Sequence, residues 1–444
     1  MTSQDTGPGS AVRPGITLLL ILAVLLPAIF AFGILYRQAL IFPFQDDYAV
    51  ILSFAADYDQ LHSLTTKVLD VATTQTIEYK IIFEHFVVAS EMELSHHINF
   101  AILTGLGDLF LLPIGYLLWR TYREQNKNLN QRLLAFLPIS LLFFSLTYWE
   151  TLNWSTADLQ NVPVICFSLL AVYLLFPERT LTTSWARLVL ACLVAALGAF
   201  TSPNGFLLGP VGLLILLPPR LYARSVVWCV SFIAPLIAYL YHYTPLVHAA
   251  HKTFFLARPI FFLAFLGAGA IPFRWPAAVL GIAILGVLWL AIRARFDRTN
   301  PTAFYFTAWV VGTGLMVSSV RGALGVSVVS RYSIYSLLVL IFCYVFLAQY
   351  LPTCTPAFSR RGFYVTSIVF AFGVCVVAQM HAYRKLGARR DMVVTGIELY
   401  RTNPEMNSPL VDPNLLQGQP EERGYEQSAL TNAIQKHVYT LPGH

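Results

Sequence analysis

The sequence predicts an all-α fold: a polytopic bundle of transmembrane helices, with amphipathic surface helices in a long first outer loop. Three observations predict it. Of 444 residues, 57% are hydrophobic and only 12% charged, whereas soluble domains carry about a quarter charged residues. The apolar residues gather into runs near the ~20 residues that a helix needs to cross a bilayer. Lys and Arg, finally, collect in alternate loops between those runs, as the positive-inside rule requires.

The first apolar run, 16–36, is longer than the roughly 7–15 residues of a signal-peptide core and lacks a cleavage site, so it reads as a retained first span. Eleven spans are expected, at 15–37, 98–119, 133–148, 161–176, 186–200, 205–217, 225–243, 276–292, 302–320, 332–350 and 362–380. Several are short, and a count from 10 to 13 is compatible with the pattern. The Gly- and Pro-broken piece 258–273 reads as a re-entrant or interfacial helix, or as half of a twelfth span. Six cysteines are scattered without a CxxC pair, which gives no sign of a disulfide framework or a zinc site.

Arg120, Arg123, Lys127 and Arg132 share one loop, and Arg179, Arg187, Arg220, Arg224, Arg293, Arg295, Arg298, Arg360 and Arg361 occupy alternate loops after it. The opposite loops 149–161 and 201–205 contain no Lys or Arg. The expectation is therefore an integral inner-membrane protein, N-terminus cytoplasmic and C-terminus outside. Residues 1–381 would form the membrane domain and 382–444 an outward tail packed on the outer loops. All ten histidines fall on the outer side.

Loop 38–97 is far longer than the usual connection of about 4–6 residues. It opens with "FPFQDDY" (42–48), in which Asp46 and Asp47 are adjacent. Adjacent carboxylates repel, and are kept together where a cation binds them or one holds a proton. One would deprotonate an acceptor hydroxyl while the other orients it, or the two would hold a divalent cation (Mg or Mn) through hard oxygen ligands. Equally, Asp is a favoured N-cap, and the pair would cap a surface helix beginning near Tyr48. Leu61, Leu64, Val68, Leu69 and Ala72 lie at helical spacing and suit a helix on the membrane surface. A second amphipathic stretch, 79–94, carries Glu84 and His85, which either converge with the Asp pair or are an exposed polar pair. His248 and His251 are three apart, a spacing that on a helix would put them on one face, as metal ligands can be.

Arg321 and Arg331, on the outer side, run against the topology rule, and Tyr332 follows the second. A guanidinium fork there grips phosphate bidentately, or snorkels to lipid headgroups. Asp108, in the middle of the second span, either marks a transport pathway or packs against a polar partner. The residues alone leave three readings: an enzyme, a transporter or lipid flippase with Asp108 in its path, and a non-catalytic membrane scaffold.

Taken in order, "FPFQDDY", "FEHFVVASE" (83–91), "WETLNWSTADLQ" (149–160), "SPNGFLLGPVGLLILL" (202–217), "RGALGVSVVSRYS" (321–333) and "AIQKHVYTLPG" (433–443) resemble the GT-C class of polytopic membrane glycosyltransferases, of the bacterial type that uses polyprenyl-phosphate sugars. The resemblance implies an inverting transfer of a sugar from a polyprenyl-phosphate carrier to a hydroxyl of a glycan, lipid or protein acceptor on the outer face, with membrane lipids around it and no nucleic-acid partner. It implies Asp46 and Asp47 as base and acidic partner, and Arg331, with Arg321, as the holder of the departing phosphate. Similar sequences carry "NEHR" where this chain has Phe83, Glu84, His85 and Phe86, so Glu84 and His85 match and their two neighbours do not. Gln160 fits a recurring Gln in the second outer loop.

Overall fold

A computed structural model describes residues 14–76, 80–122, 128–182, 184–244, 256–322, 330–354, 360–402 and 420–442. The described residues contain helices and no β-strand. Eight of the helices are long and apolar enough to cross a membrane: Pro14–Arg37, Phe100–Tyr122, Ser155–Leu175, Tyr222–Leu240, Arg274–Arg293, Pro301–Arg321, Ser330–Leu351 and Arg361–Thr402. Three shorter apolar helices, Leu129–Phe143, Trp185–Thr201 and Pro203–Leu216, occupy the other expected positions. Ala257–Gly267 has 11 residues, or ~16 Å at 1.5 Å per residue, about half of a bilayer core.

Local chemistry explains the breaks. The second span starts on Asn99, whose side chain accepts from the amides of Ala101 and Ile102. It is interrupted at Phe110, because Pro113 offers no N–H to the turn before it. Trp185–Thr201 ends at extended Ser202, and Pro203 sets the first turn of the next helical segment. That reversal is tight: a Cβ on Gly205 would lie 2.0 Å from the Gly198 carbonyl oxygen. Only glycine fits there.

Two large apolar cores and two small clusters result among the described residues. The larger core lies within the bundle. The smaller joins the first long loop to the C-terminal region: Phe42, Tyr48 and Ile51 share it with Ile397, Leu430 and Tyr439. The Tyr439 hydroxyl donates to the Ile41 carbonyl at 2.9 Å, and the Ile98 amide to the Val438 carbonyl at 2.8 Å.

Two features differ from the sequence reading. The last span does not stop near residue 380; one helix runs from Arg360 to Thr402, 43 residues. Its sequence beyond 380 contains no Pro, and only Gly387 and Gly396 as glycines, so no strong breaker stands where the hydropathy falls. The Ile82–Ser95 helix is not an exposed amphipathic element, since Glu84, His85 and Glu91 are buried with Val88, Ala89 and Met92. The Tyr48–Tyr58 helix covers it, with the His85 ring stacked on Phe54 at 4.2 Å. The Leu64–Thr73 helix, by contrast, leaves Leu64, Val68 and Leu69 exposed, as a helix resting on a bilayer surface would.

Candidate active site

The question posed by adjacent Asp46 and Asp47 is answered by the turn that carries them. Gln45 sits in the left-handed region at φ 47°, a conformation costing a non-glycine residue roughly 1–2 kcal/mol. Asp46 then faces a cavity and Asp47 faces the protein interior, 1% exposed. One Asp47 oxygen accepts the Phe44 amide at 3.0 Å, and the other accepts the Thr156 amide at 2.9 Å. For Asp47 the capping reading does not hold at the helix where it was expected. Asp47 makes no side-chain cap on the Tyr48 helix; it satisfies an orphan amide in the first turn of Ser155–Leu175, whose own N-cap, Trp154, has no side-chain cap. Burial pushes the Asp47 carboxyl up to about 7, helped by the charge of Asp46 and opposed by the hydrogen bonds from Thr156 and Phe44.

The cavity, about 400 Å³, lies where the ends of several spans meet this turn. Asp46, Thr156, Gln160 and Asn161 line it together with Arg321, Arg331 and Tyr332. Ser202, Asn204, Thr313 and Tyr335 supply further polar groups, while Met316, Val317 and Val320 give an apolar stripe. Tyr239 and Tyr243 complete the lining near the end of Tyr222–Leu240. Of the residues singled out from sequence, Asp46, Gln160, Arg321, Arg331 and Tyr332 meet here.

Arg331 is held by rings. Its guanidinium carbon lies 5.3 Å from the Trp154 ring centre and 5.4 Å from that of Tyr332. Thr151 donates to its carbonyl at 3.1 Å. Trp154 packs edge-on to Phe44 at 5.7 Å, and the Arg389 guanidinium carbon sits 4.0 Å from the Phe44 ring centre. Arg389 also reaches Glu150 at 3.9 Å, and Glu150 accepts the hydroxyl of Ser330, next to Arg331. Two rings, Phe44 and Trp154, thus lie between two cations, Arg389 of the Arg360–Thr402 helix and Arg331 of the cavity lining.

Glu84 and His85 do not line the cavity. Glu84 is fully buried behind it and accepts from Gln160 Nε2 at 3.2 Å. Burial first, then the charges of Asp47 and Asp46, raises its carboxyl well above the carboxylate range, which favours the protonated form. Burial lowers His85 to about 3, so its ring is neutral. Asp108 is also absent from the lining. It is buried against the Ser155–Leu175 helix, where Asp158 fits so closely that a Cβ on Gly107 would lie 2.0 Å from its Oδ2.

The divalent-cation expectation for Asp46 and Asp47 meets a poor donor set. Asp47 has both oxygens turned onto backbone amides and does not line the cavity that Asp46 faces. Among the described residues, no group of three or more His, Cys, Asp or Glu is placed to share a metal ion. His248, His251 and loop residues 323–329 lie outside the described residues.

Sequence reasoning does not single out Trp154, Asn161, Asn204, Tyr335 or Arg389. Two signals are there: the uncharged polar stretch around 151–157 and the "SPNG" turn lie at or beside Trp154, Asn161 and Asn204.

Compared with known proteins, the chain matches no family model, and no curated protein matches it. It is similar to crystal structures of ArnT from Cupriavidus metallidurans. To the apo state it is 15% identical, covering 96% of this chain and 78% of that one, with a TM-score of 0.49. To the undecaprenyl phosphate-bound state it is 14% identical, covering 95% and 77%, with a TM-score of 0.46.

Proposed function

We propose that this chain is an integral membrane glycosyltransferase that moves a sugar from a polyprenyl-phosphate carrier to an acceptor hydroxyl on the outer face of the membrane, with its N-terminus cytoplasmic and its C-terminus outside. The observation that carries the reading is a cavity whose described lining combines a carboxylate, Asp46, with two guanidinium groups, Arg321 and Arg331, and an apolar stripe of Met316, Val317 and Val320. Phosphate and prenyl chain need the last two, and the acceptor needs the first.

In this reading Asp46 accepts the proton of the acceptor hydroxyl as its oxygen bonds to the sugar's anomeric carbon. The bond from that carbon to the phosphate oxygen breaks in the same displacement, which inverts the centre. The carrier leaves as polyprenyl phosphate, its charge met by Arg331 and Arg321. Asp47 does not touch substrate; it is a positioning residue that fixes the turn carrying Asp46 onto the Ser155–Leu175 helix. Gln160, held by Glu84, presents its amide to the same cavity. Tyr332 flanks the phosphate site through its contact with Arg331.

The test is a comparison of surface glycans by mass spectrometry in a deletion strain and in strains complemented with wild type or Asp46→Asn at matched protein levels. The expected result is one sugar missing from one glycan in both the deletion and the variant. Full restoration by Asp46→Asn would remove Asp46 as the base.

A further inference from the structure

The cavity holds a chain of hydrogen bonds whose direction is fixed at one end. Asn161 Nδ2 donates to the Ala157 carbonyl at 2.7 Å, which can only accept. Asn161 Oδ1 is therefore an acceptor, and the Tyr335 hydroxyl donates to it at 3.0 Å. With its proton committed, the Tyr335 oxygen accepts from Asn204 Nδ2 at 3.1 Å. Thr313 agrees with this polarity: its hydroxyl donates to the Trp309 carbonyl at 3.1 Å and offers Asn204 Nδ2 a second acceptor at 3.5 Å. The amide of Asn204 is thus oriented by its neighbours, and its Oδ1 is left as the end of the chain.

No protein group among the described residues donates to Asn204 Oδ1, although the side chain is 3% exposed and lines the cavity. An unmet buried acceptor is destabilising, and a partner that donates to it recovers that cost. The residue is also rigidly placed. Its carbonyl accepts Trp309 Nε1 at 2.9 Å, and the next residue is Gly205, pressed against the Gly198 carbonyl.

We propose that Asn204 Oδ1 is a sugar-reading acceptor, which takes a hydrogen bond from a hydroxyl or amine of a neutral or amine-bearing sugar on the carrier and selects against a uronic acid. The assignment rests on the lipid-linked-donor reading above. A carboxylate brought to this position would set acceptor against acceptor, and Asp46 is the carboxylate already lining the cavity. Arg321 and Arg331, the two cations that line the cavity among the described residues, are taken by the phosphate in that reading. A site that hydrogen-bonds a substrate hydroxyl discriminates strongly, because the wrong substrate leaves its polar group unpaired.

The test uses the full-length protein in lipid nanodiscs and measures affinities for undecaprenyl phosphate alone and for undecaprenyl phosphate carrying glucose, mannose, 4-amino-arabinose or galacturonic acid. For the wild type, at least one neutral or amino sugar is expected to bind about 10-fold tighter than the bare lipid, or ~1.4 kcal/mol, and the galacturonic acid carrier no tighter than the bare lipid. In Asn204→Ala the sugar-dependent gain is expected to disappear while bare-lipid affinity stays within about two-fold. Tyr335→Phe, which removes the oxygen that orients the amide, is expected to lose part of the same gain. The assignment is overturned if the galacturonic acid carrier binds as well as the best neutral one, if neither variant changes the gain, or if Asn204→Ala weakens bare and sugar-bearing lipid equally. Failure of the wild type to bind any of these lipids would instead remove the lipid-linked-donor reading, and the assignment with it.

Discussion

Asp47 makes a quantitative prediction about pH. Its carboxyl is raised from 3.8 to about 7, so the folded protein holds a proton there that the unfolded chain releases first. Its contribution to stability is fully present below pH 3.8 and is lost as pH rises through 7. A shift of about 3 units at ~1.36 kcal/mol each amounts to ~4 kcal/mol, of which on the order of 2.5 kcal/mol is lost between pH 5 and 8. The group is 1% exposed, so solvent screening takes little away. Glu84 and Glu91 are raised in the same direction, chiefly by burial, and would keep part of the slope in any variant. The perturbation is therefore Asp47→Asn, which cannot titrate, and the measurement is thermal unfolding of both proteins in detergent at half-unit steps from pH 5 to 8. The wild-type midpoint should fall several degrees further than that of the variant. Parallel curves would refute the reasoning, because they would mean that Asp47 is as well solvated in the folded protein as in the unfolded chain.

Two more outcomes are expected of the cation-and-ring row. Arg331→Ala should weaken undecaprenyl phosphate binding by about 10–100-fold, and Arg331→Lys should recover only part of it, since an ammonium lacks the planar fork and stacks less well on Trp154; equal binding by all three, measured in nanodiscs, removes Arg331 from the phosphate site. Arg389→Met keeps much of the packing on Phe44 but loses the charge that meets Glu150 and the ring. It should raise the lipid dissociation constant about 3–10-fold with protein yield unchanged, and an unchanged constant would show that Phe44 and Trp154 hold Arg331 without help.

The spans are legible in the sequence because composition and the placement of Lys and Arg are properties of the chain itself. The site is legible as a set of segments, and less so residue by residue. Asp46 and Asp47 are equivalent in sequence; what separates them is the left-handed Gln45 and an amide of Thr156, 109 positions away. Glu84 and His85 look exposed because their helix has polar residues on one face, and only the distant cover of Tyr48–Tyr58 and Ser155–Leu175 makes that face an interior. Arg389 reads as part of a tail because hydropathy falls near residue 380, whereas helix continuation depends on the absence of a breaker. Asn204 sits in a motif with no charge to draw notice, and its importance comes from Tyr335, 131 positions on.

The unbroken helix from Arg360 to Thr402 has a mechanical consequence. Its 43 residues measure ~64 Å, of which a bilayer core takes about 30 Å. The remainder stands clear of the hydrocarbon as a rigid strut, and Arg389 is fixed part-way along it. A thinner or thicker bilayer tilts such a rod to match its apolar length, and the tilt moves Arg389 relative to Phe44 and the cavity wall behind it. Lipid affinity should then depend on the acyl-chain length of the reconstituting bilayer, with an optimum that shifts or flattens in Arg389→Met. A wild-type affinity constant across chain lengths would show that the strut rides free of the site it touches.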